Sequence, residues 1–124
     1  MNCDAQSQQR QSLAAIGQRY TEIVWAAGLF EGEGCISIHP SKKYVQLKVV
    51  MTDQDVIERY RDVVGYGNLV GPRWDKKSTK PLWMTCAAKK KEVLRILKMF
   101  LPHFGRRRAE KAIEAINHLN ETTN

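Results

Sequence analysis

The sequence predicts an α+β fold in the order αββαββα, with one extra C-terminal helix, in which a four-stranded antiparallel sheet packs on helices. Two pairs of segments alternate between apolar and polar residues, and a short hydrophilic turn separates the members of each pair. Segments with the apolar spacing of amphipathic helices stand before, between and after these pairs. No strand–helix–strand rhythm occurs, so a parallel nucleotide-binding sheet is not expected.

The first helix ends in residues that do not suit a helix end. An apolar stretch over residues 23–30 leads into Glu31, Gly32, Glu33 and Gly34. Because the C-terminus of a helix carries partial negative charge, each acid there costs a few tenths to about 1 kcal/mol. A divalent cation or a nearby developing charge would compensate for that cost, so the two glutamates are candidate functional residues. The alternative is a pair of solvated acids in a surface turn.

The glycines of the same segment point to a close helix contact. Gly28 and Gly32 stand four residues apart with Ala27 beside the first, so one face of the helix has almost no side chains. The apolar stretch is far shorter than the roughly 20 residues that span a bilayer, so its partner is expected to be a soluble helix. We expect Gly34 to leave the helix with a positive φ.

The two predicted hairpins flank a second helix. Strands are predicted over 35–39 and 44–52, and again over 67–74 and 81–88. Between the pairs, Asp53 or Thr52 begins a helix that Gly65 ends. In the second strand, alternate residues share the face expected to pack on the helices: Val45, Leu47, Val49 and Met51.

Two further helices complete the chain. One carries an apolar stripe from Val93 to Leu101, the segment 102–105 interrupts it, and a last stripe runs from Ala109 to Leu119. The 124 residues suit one domain, predicted over 18–122. The Gln- and Ser-rich residues 1–17 are predicted to form an N-terminal arm that is flexible or partly helical.

Charge and cysteine content indicate the partner and the compartment. A formal charge of +7 and a pI near 9.5 favour a polyanionic partner, with nucleic acid ahead of an acidic membrane surface. No signal peptide or membrane segment is recognised in the sequence. Three widely spaced cysteines favour a reduced, intracellular protein that is not secreted, in the cytoplasm or an organelle matrix.

The sheet face away from the helices is a candidate DNA surface, because its side chains are donors, acceptors and flat rings suited to base edges. Its predicted members are Ser37, His39, Tyr44, Gln46, Lys48 and Arg73. Trp83 and Thr85 join them if Leu82, Met84 and Cys86 point inward. The hairpin turns add lysines suited to phosphates: Lys42, Lys43, Lys76, Lys77 and Lys80. The alternative is a solvated face whose lysines only confer solubility.

The segment from Ala26 to Gly34 resembles the signature helix of the LAGLIDADG homing endonucleases, which ends in an acid, a small residue, a second acid and glycine. Ala26 stands where leucine is usual, and both acids are Glu where Asp is commoner. The order of elements after the motif also matches that family. The resemblance implies a saddle-shaped sheet that lies in the DNA major groove.

The resemblance further implies a homodimer, because the chain has one motif and no internal repeat. The motif helices would meet through Trp25, Ala27, Gly28 and Gly32. The implied activity is site-specific cleavage of double-stranded DNA at a long pseudo-palindromic site with Mg²⁺. Mn²⁺ would serve in its place, and Ca²⁺ is expected to bind without supporting cleavage.

The same resemblance implies roles for individual residues. Glu33 would be the catalytic metal ligand, with Gly32 beside it, and Glu31 would orient the helix end by accepting backbone N–H bonds. Arg107, chosen from Arg106, Arg107 and Arg108, would stabilise charge. The position of a water-orienting polar residue falls near Val50, so Gln46 or Lys48 would substitute.

Two alternative functions are also compatible with the sequence. A cleavage-deficient relative would keep the sheet as a DNA-binding regulator, or as an intron RNA maturase, the one case in which RNA is a partner. A helix-rich protein-interaction module would show neither metal dependence nor a steep salt dependence of DNA affinity.

Overall fold

The computed structural model describes residues 3–77 and 79–121, with side chains from residue 17 onward. Helix α1 (Cys3–Glu33) is followed by strands β1 (Gly34–Ile38) and β2 (Val45–Met51) and by helix α2 (Gln54–Val64). Strands β3 (Asn68–Arg73) and β4 (Leu82–Ala87) precede helix α3 (Lys90–Phe100), a short 3-10 helix (Leu101–His103) and helix α4 (Arg106–Asn120). The predicted order αββαββα with an extra helix is therefore confirmed.

The four strands form one antiparallel sheet in the order β1-β2-β4-β3. The two hairpins thus meet in the middle through β2 and β4, and β1 and β3 are the edges. Val45, Leu47 and Val49 are buried on the face that packs on the helices, as their alternation predicted. The other face carries no helix among the described residues, so it is open.

The core lies between the sheet and the helices, and aromatic rings join α1 to the C-terminal part of the chain. Phe30 and Phe100 are both fully buried, with ring centroids 5.8 Å apart. The Phe104 ring lies 5.8 Å from Phe30 and 5.9 Å from Phe100. This cluster fixes the end of α1 against the segment that leads into α4.

The end of α1 differs in one detail from the prediction. The glycines with positive φ are Gly65, Gly67 and Gly71, so Gly34 does not leave the helix in that conformation. Instead, a Cβ at Gly34 would lie 2.5 Å from the ring of Phe30. Glycine is required there because the chain passes directly over a buried ring.

The N-terminal segment continues the first helix. The backbone of α1 is helical from Cys3, within the predicted arm. The boundary of the arm at residue 17 stays a prediction, and the predicted end of the domain, residue 122, lies outside the described residues. No helix in the described part of the chain is both long and apolar enough to cross a membrane.

Candidate functional site

The two glutamates at the end of α1 lie in different surroundings. One carboxylate oxygen of Glu31 accepts a hydrogen bond from the backbone N–H of Gly105 (2.7 Å), and the other accepts one from Nε of Arg108 (3.2 Å). Arg108 also donates to the backbone carbonyl of Glu31 (3.0 Å). Glu31 therefore ties the end of α1 to the start of α4, and the bond from Gly105 is a backbone N–H bond of the kind that the resemblance implied.

Glu33 is the last residue of α1, and its side chain is exposed. Within the described residues its carboxylate has no hydrogen bond and no ion pair. Gly32, beside it, is also exposed and lies in the last helical turn, whose carbonyls lack partners within the helix. The end of α1 thus carries one exposed carboxylate, that of Glu33, beside the backbone carbonyl of the exposed Gly32.

These oxygen donors fit a hard divalent cation. Mg²⁺ prefers oxygen ligands and is commonly bound by one or two carboxylates together with substrate phosphates. No group of three or more His, Cys, Asp and Glu side chains suited to a metal occurs among residues 17–77 and 79–121. One chain therefore offers a partial donor set, which other ligands would have to complete.

The three consecutive arginines of α4 have separate environments. Arg106 pairs with Glu110 (3.5 Å), and Arg108 is held by Glu31. Arg107 is exposed and lines an open cleft beside the start of β1, together with Gly34 and Lys111. Arg108 lines the same cleft but is held by Glu31, so among the described residues Arg107 is the arginine of this cleft that has no ion pair.

Strand pairing arranges the open face in rows. Ser37 lies opposite Gln46, and in the next row Cys35, Lys48 and Cys86 lie side by side. Gln46 donates a hydrogen bond to the thiol of Cys86 (2.8 Å). The predicted positions of Ser37, Gln46 and Lys48 on the open face agree with this register.

The register also corrects the catalytic assignment of Gln46. Gly34 pairs with Val49, so the level of Glu33 corresponds to Val50. Gln46 lies four residues further along β2, roughly 13 Å at about 3.3 Å per residue. The structure does not bring Gln46 to Glu33, and Lys48 lies two residues closer.

Two predicted DNA-facing residues lie on the opposite face. Trp83 pairs with Met51 and Thr85 pairs with the buried Val49, so both point toward the helices, and Thr85 is buried. The prediction was wrong because β4 has apolar residues at both parities, and alternation alone could not fix its phase. Residues predicted to point inward lie instead on the open face: Leu82, Met84 and Cys86.

The basic hairpin turns lie at opposite ends of the open face. Lys42 and Lys43 are exposed in the turn after β1, far from Glu33, and His118 bonds the carbonyl of Lys42 (2.7 Å). In the same turn, the ring of His39 faces Ser41, and Tyr44 is 41% exposed.

The turn between β3 and β4, at the end of the sheet nearer Glu33, carries three exposed lysines: Lys76, Lys77 and Lys80. Arg73 is exposed and lies opposite Leu82.

The structure corrects part of the predicted contact between the motif helices of two copies. Ala27 is fully buried in its own chain, so its side chain is not available to a second copy. Trp25 is half-buried beneath the guanidinium of Arg59, 3.8 Å from its ring centroid. Gly28 and Gly32 are exposed, and a Cβ at either would meet nothing within 4 Å. Thr21 and the 38%-exposed Val24 lie on the same side of the helix.

Comparison with known proteins gives structural neighbours only. No family model and no curated protein sequence matches the chain. The homing endonuclease I-CvuI, in complex with its target and calcium, superposes with a TM-score of 0.64 at 16% identity, over 83% of this chain and 68% of that one. The intron-encoded homing endonuclease I-CeuI, complexed with DNA, gives 0.64 at 12% identity, over 81% and 54%.

A third neighbour carries the family name. The LAGLIDADG meganuclease I-CpaMI, bound to uncleaved DNA, gives a TM-score of 0.59 at 14% identity, over 79% of this chain and 35% of that one. This chain therefore has the fold of the LAGLIDADG homing endonucleases.

Proposed function

We propose that the protein is a site-specific endonuclease that cleaves double-stranded DNA as a homodimer with a divalent cation. The observation that carries the proposal is the exposed carboxylate of Glu33, which has no partner in the part of the chain that the structure describes and lies at the end of α1 beside the open sheet face. Both carboxylate oxygens of Glu31 accept hydrogen bonds from the start of α4. Glu33 is therefore the glutamate of this motif that can bind a cation.

Glu33 and the carbonyl of Gly32 would hold the cation, with Mg²⁺ the preferred ion and Mn²⁺ an alternative. The cation supplies charge stabilisation at a phosphate and a more acidic water. Arg107 would stabilise negative charge on the same phosphate, because it has no ion pair among the described residues and faces the start of β1. Lys48 is the polar side chain of β2 best placed to assist.

A second copy would complete the site. Two strands of a duplex require two cleavage centres, and the chain carries one motif. Gly28 and Gly32 leave the exposed side of α1 bare, so a second α1 could approach there and bring two Glu33 residues near one axis. A homodimer of this kind would read a pseudo-palindromic site. DNA as substrate also fits an intracellular location, where the thiols of Cys35 and Cys86 stay reduced.

The structural neighbours support the choice of substrate. I-CvuI and I-CeuI are homing endonucleases in complex with DNA, and I-CvuI was obtained with calcium or magnesium. The basic turns at both ends of the open face would follow the phosphates while the strands face base edges.

Random-site selection followed by cleavage with Mg²⁺, with Ca²⁺ and without metal tests the proposal. We expect Glu33→Gln to lower the cleavage rate by about 100-fold or more while leaving DNA affinity near that of the parent. Glu121→Gln, at an exposed glutamate near the end of α4, is the matched control and should cleave normally. Cleavage by Glu33→Gln at the parent rate would refute the assignment.

One observation favours a second function. Val50 stands at the level of Glu33 on β2, where a polar residue would orient water, and Gln46 is too far away to replace it. A cleavage-deficient DNA-binding regulator or an intron RNA maturase would keep the same face. Tight binding of the selected duplex with no cleavage in Mg²⁺ or Mn²⁺ would identify the regulator. Preferential binding of a structured intron RNA would identify the maturase.

A further inference from the structure

An apolar row crosses the open face near Glu33. Val50 lies opposite Met84, and Met84 lies opposite Val70 on its other side. Val50 and Val70 are 40% and 41% exposed. The next row along the strands is polar, since it contains Lys48 and Asn68. The row of Val50, Met84 and Val70 is therefore an apolar band, and its neighbouring row carries polar side chains and thiols.

Two residues of the band, Val50 and Met84, line a small hollow. Val50, Leu82 and Met84 line it together with Arg73, Trp74 and Asp75, and its volume is about 290 Å³. Pockets for small molecules measure about 300–1,000 Å³ and enclose most of the ligand. This hollow is smaller and open, so it suits one apolar group projecting from a larger partner.

The surroundings indicate what that partner is. Arg73 stands at the rim of the hollow, and Lys76 and Lys77 follow it in the exposed turn. Lys48 lies in the neighbouring row, and Asp75 is the one acid that lines the hollow. This mainly basic border would repel a second copy of the same surface, whereas it complements a polyanion.

We propose that this apolar band contacts the C5-methyl group of a thymine in the major groove and makes the enzyme select an A·T pair there. The inference rests on the proposed function, because it requires the open face to meet DNA. The thymine methyl is the apolar group that B-DNA presents in the major groove, and apolar side chains recognise it. Arg73, at the rim, could donate to a neighbouring guanine.

The position of the band sets the position of the base pair. Val50 stands at the level of Glu33, at the end of the sheet away from Lys42 and Lys43. The selected thymine therefore lies near the centre of the full site, close to the cleaved bonds. Burying one methyl contributes about 0.8 kcal/mol, so its removal is expected to weaken binding about fourfold.

Uracil substitution tests this inference without changing base pairing. Each thymine of the selected duplex is replaced by uracil, one symmetric pair at a time, and Kd is measured by fluorescence anisotropy at constant salt. We expect about a 16-fold loss when the central thymine of both half-sites is replaced, as the product of two fourfold losses. Thymines contacted only by polar residues should lose less.

Val50→Thr links the effect to the band. The side chains have nearly the same shape and Val50 is exposed, so the variant should fold, which circular dichroism checks. We expect it to reduce the uracil effect at the central pair, because a polar hydroxyl replaces one of the two methyl groups of Val50. Ile113→Thr, at a 46%-exposed apolar residue of α4, is the matched control and should keep the full effect.

The outcomes separate this inference from the function on which it rests. If no duplex is bound, the proposed function fails first. If duplex is bound but no central thymine responds to uracil, the methyl contact is wrong while DNA binding stands. The inference is also overturned if Val50→Thr keeps the parent's uracil effect, or if the variant changes the oligomeric state without DNA, since the band would then be a protein contact.

Discussion

Glu31 and Glu33 are two residues apart, yet their surroundings give them opposite effects on stability. Arg108 has only 17% of its side chain exposed and depends on the Glu31 carboxylate for its ion pair. Hydrogen bonds to charged groups contribute about 1.5–3 kcal/mol, and the 37% exposure of Glu31 lowers that range. Glu33 has no such partner among the described residues and sits at the negative end of the helix.

We expect Glu31→Gln to lower the free energy of unfolding by about 1–2 kcal/mol. Glu33→Gln should change it by less than about 0.5 kcal/mol, or raise it slightly, because an unfavourable charge is removed from the helix end. Urea unfolding without DNA or metal measures both values. Equal losses of unfolding free energy in the two variants would contradict a structural role for Glu31 and a non-structural role for Glu33.

Gly34 shows what a motif cannot reveal by itself. The sequence predicts that a glycine is needed where the helix ends. The structure shows why: an added Cβ at Gly34 would lie 2.5 Å from the ring of Phe30. Phe30 is fully buried, so it cannot move away easily. We expect Gly34→Ala to cost about 1–3 kcal/mol of unfolding free energy by overpacking. A neutral result in urea unfolding would mean that the ring or the backbone adjusts.

At the scale of elements, α1 combines a structural and an assembly role. Gly28 lies within the helix, and an added Cβ would meet nothing within 4 Å in the single chain. Alanine is a better helix former than glycine by about 0.5–1 kcal/mol, so Gly28→Ala should stabilise the monomer by about that amount. If two α1 helices meet there, the same methyl should weaken the dimer.

Sedimentation of Gly28→Ala over a range of concentrations, together with urea unfolding at low concentration, measures both effects. A dimer as stable as that of the parent would place the interface elsewhere. Gly17→Ala, at an exposed glycine of the same helix that also has open space, is the control for helix propensity alone.

Helix α2 carries a buried phenol that makes stability depend on pH. Burial raises the pKa of Tyr60 above its usual value of 10.0. The unfolded chain therefore loses this proton near pH 10 while the folded chain keeps it, so stability falls as pH rises above 10. The expected slope is about 1.4 kcal/mol per pH unit. Comparing urea unfolding of Tyr60→Phe with the parent from pH 9 to 11 isolates this contribution, and parallel curves would contradict it.

Strand β4 marks the limit of what alternation predicts. Where one parity is apolar, as in β2, the pattern assigned the buried face correctly. In β4 both parities are apolar, so only pairing with β2 and β3 decides that Thr85 points inward and Met84 outward. The apolar band on the open face could therefore not be found before the register was known.

At the scale of the whole molecule, the element order was predictable because each boundary has a local cause. Gly65 ends α2 with a φ of 79°, and amphipathic stripes set the later helices. The candidate site was predictable only as far as the motif reaches, which includes Glu33. Contacts between distant segments, such as Glu31 with Arg108, depend on tertiary packing and left no local signal.

The charge distribution predicts how DNA affinity responds to salt. Each phosphate neutralised on B-DNA lowers the slope of log K against log salt by about 0.9. Neutralising Lys76 and Lys77 to Gln in a homodimer removes four charges, so the slope should become shallower by up to about 3.6. Lys42→Gln with Lys43→Gln should do the same at the other end of the face. Lys98→Gln, on α3 behind the sheet, should change little. If Lys98→Gln makes the slope as much shallower per charge as the turn variants do, affinity reflects net charge alone, and the open face is not the DNA surface.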